Sequence, residues 1–172
     1  MRSVIALAWC VVALALIGYS IAAKEELLES GRVVYLELAP VDPRSIMQGD
    51  YMALRFAIAN DARRDMEYDE PSGTAGSQRK ELTTADGYIV ATLGPDSVSH
   101  YKRLDDGTLL APDEILLRYR VREGQIKFAT NAFFFEEGAA ERYEDARYGE
   151  FRVAPDGELL LTGLRDEALK LL

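Results

Sequence analysis

Ile115-Leu116-Leu117-Arg118-Tyr119-Arg120-Val121-Arg122-Glu123-Gly124-Gln125-Ile126-Lys127-Phe128 alternates apolar and polar side chains, breaks at Glu123-Gly124, and then resumes the alternation. Ile115, Leu117, Tyr119 and Val121 fall on one side, with Leu116, Arg118, Arg120 and Arg122 on the other. That period of two is the pattern of a half-buried strand. Glu123-Gly124 is a two-residue hairpin signal, with Ile126, Phe128 and Thr130 on the return strand. A loop that short can only join antiparallel neighbours.

Outward from this hairpin the same grammar repeats. Gly87 to Leu93 and Ser97 to Leu104 read as strands joined by Gly94-Pro95-Asp96, and Asp105-Asp106-Gly107 makes the next turn. Arg32 to Ala39 reads as a strand with Val34, Leu36 and Leu38 on one face, ended by Pro40. Downstream, Ala132 to Phe135 is aromatic and expected to be buried, and Ala139 to Tyr148 suits a short amphipathic helix closed by Gly149. Glu150 to Ala154 and Glu158 to Leu164 predict a last hairpin through Pro155-Asp156-Gly157. About eight short strands without βαβ alternation imply a mainly β, antiparallel domain. A partly closed barrel and two packed sheets both fit, with a short helix added.

One stretch combines a constrained turn with a strand: Val41-Asp42-Pro43-Arg44-Ser45-Ile46-Met47-Gln48-Gly49-Asp50-Tyr51-Met52-Ala53-Leu54-Arg55-Phe56. Asp42 before Pro43 is a helix-start signature, so Arg44 to Gln48 is expected to form about one turn that Gly49 ends. From Asp50 a strand is expected through about Ala59, with Met52, Leu54, Phe56 and Ile58 on the core side. Capping and packing explain Asp42, Asp50 and Tyr51 structurally. The functional alternative is that Arg44, Asp50 and Tyr51 face a protein partner, Tyr and Arg being enriched at interface hot spots. Asn60 to Lys80 is rich in charge and in Gly/Ser/Pro, and is expected to be a mobile loop with at most a short helix over Asp61 to Tyr68.

Gly49-Asp50-Tyr51, followed by Leu54 and an aromatic at Phe56, resembles the motif of the bacterial GDYXXLXY protein family, and Pro40-Val41-Asp42-Pro43-Arg44 resembles its usual lead-in. Phe56 stands where the family pattern has Tyr. The similarity extends, less distinctly, to Glu137-Gly138 and Arg147-Tyr148-Gly149. The resemblance marks Asp42, Pro43, Arg44, Gly49, Asp50, Tyr51, Leu54 and Phe56 as motif residues. It implies no activity, but it does imply companionship with multi-spanning membrane proteins.

Ser3 to Ala23 is uncharged and mostly apolar, about the ~20 residues that cross a bilayer as a helix. Arg2 precedes it, and Lys24-Glu25-Glu26 follows. The positive flank predicts an N-terminus in the cytoplasm and the remainder outside the cytoplasmic (inner) membrane. The rival is a cleaved signal peptide near Ser20-Ile21-Ala22. Against it, the apolar run exceeds the ~7–15 residues of such segments, and Trp9 and Tyr19 sit near opposite ends, as interface aromatics do. The expected organisation is an anchor over 1–23, a juxtamembrane helical extension over 24–31, and an extracytoplasmic β domain over 32–172.

Cys10 is the only cysteine, so no intramolecular disulfide is available. The net charge of −9, reached although Arg2 is the only charged residue before Lys24, disfavours nucleic acid as a partner. His100 is the only histidine, and no His/Cys cluster has ligand spacing, so neither metal nor cofactor is expected. Asp61, Asp65, Glu67, Asp69 and Glu70 lack the glycine and ligand period of a calcium loop. Gly49-Asp50 is also similar to the Gly-Asp pair in the β domain of signal peptidases. Yet Pro40 stands where their serine is expected, Ser45 has the wrong local context, and no lysine is placed as base. The sequence therefore favours an interaction or assembly module working with another membrane protein. The alternative is an envelope hydrolase of unknown substrate, distantly similar to the signal peptidase β domains, with its activity disfavoured by these departures.

Overall fold

A computed structural model describes residues 2–39, 47–48, 51–68, 84–130 and 132–172. Helix α1 (Arg2–Ser30) runs unbroken from the apolar stretch into the domain. An 18-residue apolar window within its Ile5–Ser30 portion has a mean hydropathy of 2.3, none of that window is buried, and the portion is long and apolar enough to span a membrane. The helix stops at Gly31, whose N–H donates to the Leu27 carbonyl at 3.0 Å. A Cβ there would lie 2.4 Å from that carbonyl oxygen, so only glycine lets the chain leave the helix at this angle.

Three antiparallel sheets follow. The first has the order β1-β9-β10: β1 (Arg32–Glu37) pairs with β9 (Tyr148–Val153), and β9 with β10 (Leu159–Arg165). The second is small, with β2 (Met47–Gln48), β3 (Tyr51–Ala53) and β8 (Ala132–Phe134) in the order β2-β3-β8. The third has the order β5-β4-β6-β7, from β4 (Ala85–Leu93), β5 (Ser99–Leu104), β6 (Glu114–Arg122) and β7 (Gln125–Phe128). Single bridges Tyr35↔Val98 and Leu38↔Phe56 join the first sheet to the strand leading into β5 and to the motif strand. The result is a curled half-barrel, the partly closed of the two expected forms.

The β6–β7 hairpin forms in the expected register, Val121↔Ile126 and Arg122↔Gln125. Glu123 and Gly124 have φ of 55° and 67°, the left-handed pair that a two-residue turn needs to follow the strand twist. The core gathers Val34 and Leu36 of β1, Ile89 and Ala91 of β4, Ile115 and Leu117 of β6, Phe128 of β7 and Phe151 and Val153 of β9.

Three expectations change. The strand predicted through Ala59 ends at Ala53, and helix α2 (Ala57–Tyr68) begins four residues later. Ala57, Ala59 and Ala62 are strong helix formers, and Ile58 and Ala62, four apart, bury one face against β5, β1 and β7. The short helix allowed over Asp61 to Tyr68 is present as the body of α2, which starts earlier than expected, while 69–80 lies outside the described residues. The helix predicted over Ala139–Tyr148 shrinks to one 3-10 turn, Ala140–Tyr143, because Tyr148 and Gly149 pair with β1 and β10 instead. The aromatic run splits: Phe133 and Phe135 clasp Tyr143 at 5.1 and 5.3 Å, whereas Phe134 is 74 % exposed.

Candidate functional site

Strand β1 leads from the end of α1 to the motif. Six residues at ~3.3 Å each separate the two by roughly 20 Å, so the helix and the motif strand meet opposite ends of the first sheet. Two backbone bonds fasten the far end: Leu38 N–H donates to the Arg147 carbonyl and Ala39 N–H to the Arg55 carbonyl, each at 2.8 Å.

The alternation expected after Tyr51 is present as far as Phe56. Met52, Leu54 and Phe56 are buried, Tyr51 and Ala53 half-buried, and Arg55 exposed. Phe56 is 3 % exposed, its ring edge-on to Phe151 at 5.4 Å and to Phe128 at 6.2 Å. Gly149 lies against it: a Cβ at that position would come within 3.0 Å of the Phe56 and Phe151 rings. The two family-like stretches, Gly49 to Phe56 and Arg147-Tyr148-Gly149, thus meet in one aromatic contact. A phenol hydroxyl at position 56 would need a buried partner, and phenylalanine removes that requirement.

Tyr51 pairs with Phe134 across β3 and β8, their rings 5.8 Å apart and inclined by 40°. The Phe134 side of this pair is open to solvent, which makes it the most exposed aromatic of the β domain among the described residues. Asp42, Pro43, Arg44, Gly49 and Asp50 lie outside the described residues. The one-turn helix expected over Arg44 to Gln48 does not reach its end, since Met47 and Gln48 are strand and pair with Met52 and Tyr51. Gln48↔Tyr51 leaves only two residues between the paired positions, and Gly49-Asp50 is itself a two-residue hairpin signal that the helix-start reading overlooked.

Two clefts flank the motif strand and the β6–β7 hairpin. The first, of ≈ 260 Å³, lies between Arg55 and Phe56, Asn60 and Arg63 of α2, and residues 124–128. The second, of ≈ 350 Å³, lies between Arg118 and Arg120 of β6, Lys24 of α1, and the Glu158 to Leu161 segment. Thr130 lines both. Sequence reading treated the arginines of β6 simply as the solvent side of a strand, because their opposite wall comes from residues forty positions later.

The remaining polar candidates resolve into local structure. His100 is exposed on β5. Asp61 pairs with Arg64 at 3.2 Å, and Asp65 accepts the Tyr101 hydroxyl at 2.6 Å. Burial first, then that hydrogen bond, push the Tyr101 phenol up from its ordinary value. Among the described residues no group of three or more His, Cys, Asp or Glu side chains could hold a metal ion, and no serine hydroxyl bonds to a lysine or histidine.

A family model described as GDYXXLXY protein matches residues 13–164, and the chain belongs to that family. No curated protein and no solved structure matches it.

Proposed function

We propose that this GDYXXLXY family member is a membrane-anchored, extracytoplasmic interaction module that works with another, multi-spanning membrane protein and carries out no catalysis of its own. The observation that carries the reading is the exposed Phe134 ring, paired with the half-buried Tyr51 on the motif sheet, at the opposite end of β1 from the anchor helix. The packing of Met52, Leu54 and Phe56 accounts for the inner face of this strand, but leaving a large aromatic in water serves no packing purpose. Aromatic anchors are what protein interfaces are built on. In this reading Arg44, Asp50 and Tyr51 of the motif serve the same partner. Arg2, a positive flank free of acids at the amino end of the apolar run, against Lys24-Glu25-Glu26 at the other, supports a single pass through the cytoplasmic membrane with the N-terminus inside and the β domain outside.

The test is affinity capture of the tagged full-length protein from membranes. Tyr51→Ala, Phe134→Ala and Arg44→Ala are each expected to abolish co-purification of one membrane protein while the melting curve stays in place. Capture that survives all three would remove the motif sheet from the interface. An alkaline phosphatase fusion after Leu172 checks the topology and is expected to be active.

A further inference from the structure

In a chain with 29 acidic and 20 basic residues, the two clefts flanking the β6–β7 hairpin are lined by six cations and one acid. Lys24, Arg118 and Arg120 line one cleft, and Arg55, Arg63 and Lys127 the other; Glu158 is the acid. Acidic neighbours answer only part of this charge. Lys24 pairs with Glu158 at 2.5 Å, Lys127 with Glu123 at 3.1 Å, and Arg118 stands 3.9 Å from Asp86. Arg120 bonds to the neutral Ala129 carbonyl at 2.8 Å, and Arg55 is exposed. With Arg63 set aside, Arg55 and Arg120 leave the lining a positive surplus on a protein that is otherwise acidic.

The shape of this surface narrows what it can take. Thr130 belongs to both clefts, and the β6–β7 hairpin contributes Arg118 to one and its turn residue Gly124 to the other, so the trough extends along the strand from Arg118 to Arg122 and on to the turn, about five residues of strand or roughly 17 Å. Among the described residues, β7, which lines the cleft beside the motif strand, pairs with β6 alone, and Leu159 to Leu161 at the start of β10, which line the other cleft, pair with β9 alone, while Leu171 bridges the far end of β10 at Arg165. One end is lined by Lys24, directly after the apolar stretch, and the other by Arg55 and Phe56 of the motif strand. A phospholipid headgroup would occupy only the Lys24 end. An extended segment matches the whole length, its backbone offered to a strand edge and its carboxylates to the cations.

We infer that the two clefts along the β6–β7 hairpin, joined at Thr130, bind an extended, acidic segment of the membrane protein that this module accompanies, about five residues long. The inference rests on the proposed interaction role and adds a second contact to the aromatic one. The arginines also discourage indiscriminate pairing at the two edges, so a segment without acidic side chains is excluded by the same residues that admit an acidic one.

A photoreactive benzoylphenylalanine placed at Gln125 or at Leu160 of the full-length protein, irradiated in its native membrane, tests this. Both positions are expected to crosslink to the same membrane protein, within one stretch in which Asp and Glu outnumber Lys and Arg. Combining either probe with Arg55→Glu and Arg120→Glu should lower the yield about tenfold or more through like-charge repulsion. Crosslinks to phospholipid alone, to a stretch without acidic excess, or at a yield indifferent to charge reversal would overturn the inference, as would no crosslink at either position. Capture of the partner by the wild-type protein separates the two failures. Intact capture without an acidic crosslink sinks only the trough, whereas absence of any captured protein sinks the interaction role itself.

Discussion

The two three-stranded sheets divide the work of the domain unequally. The β1-β9-β10 sheet has strands of six or seven residues, buries Val34, Leu36, Phe151, Val153 and Leu164, and holds the end of α1. The β2-β3-β8 sheet has strands of two or three residues and leaves Phe134 in water. Strands that short contribute little stability of their own. The long sheet keeps the fold, and the short one is free to spend its side chains on a surface.

That contrast can be broken by mutation. The largest effect is expected in the central strand of the long sheet: Phe151→Ala should cost about 4 kcal/mol through lost contacts and a residual cavity, read by chemical denaturation of the full chain in detergent. Next is the ion pair that closes the outer side of the same strand. Glu150 is buried, accepts a hydrogen bond from Arg165 Nε and forms an ion pair with its Nη2, with Thr162 Oγ1 donating at 3.2 Å. Arg165→Ala leaves that carboxylate without its cation and should cost about 3 kcal/mol. If Phe151→Ala and Arg165→Ala prove milder than substitutions on the short sheet, the division is wrong.

A smaller effect comes from the third sheet and depends on pH. Glu114 accepts from Lys102 at 2.6 Å and from the Ala111 N–H at 3.0 Å, and these contacts, the lysine first, hold its carboxyl below the usual glutamate range. A depressed folded-state value gives stability that is complete above the unfolded glutamate pKa of about 4.3 and fades as pH falls through the lowered value. The melting temperature of Glu114→Gln should therefore lie below wild type at neutral pH, and the two should converge on acidification. A gap that is constant across pH would assign the effect to shape and not to charge.

The smallest effect on stability is the one that sharpens the contrast most. Phe134→Ala should leave unfolding within about 0.5 kcal/mol of wild type, as surface substitutions do, while abolishing capture of the partner. A clear loss of stability would instead make Phe134 part of the scaffold.

The long sheet was legible in the sequence because its strands are bounded by strong punctuation. Pro40 follows β1, and Pro155-Asp156-Gly157 separates β9 from β10, with Gly157 at a φ of 84°. The short sheet was not legible. Two- and three-residue strands carry too little alternation to register, and β8 joins β3 from about eighty positions away. Around Ala57 the period misled: Ile58 is buried as a continued strand requires, but it is buried from a helix. Met52, Leu54 and Phe56 were recoverable as core because alternation alone decides which side they take. Glu150 and its ion pair were invisible, since nothing local distinguishes a carboxylate that will be sealed from one that will be solvated.

The junction at Gly31 has a mechanical side. Leu27 is 6 % exposed, Lys24 is bound to Glu158, and Arg152 donates to the Gly31 carbonyl at 3.1 Å, so the last two turns of α1 are clamped to the β9–β10 hairpin. A rigid coupling of this kind passes rotation as well as position from the helix to the domain. One residue inserted between Ala23 and Lys24 turns everything beyond it by ~100° about the helix axis and lifts it only ~1.5 Å, whereas seven restore nearly the original azimuth at ~10 Å greater height. If the anchor and the motif sheet grip the same partner, capture should fail with the first insertion for reasons of angle and weaken with the second for reasons of reach. The helix then serves as a protractor, fixing the compass bearing at which Phe134 is shown.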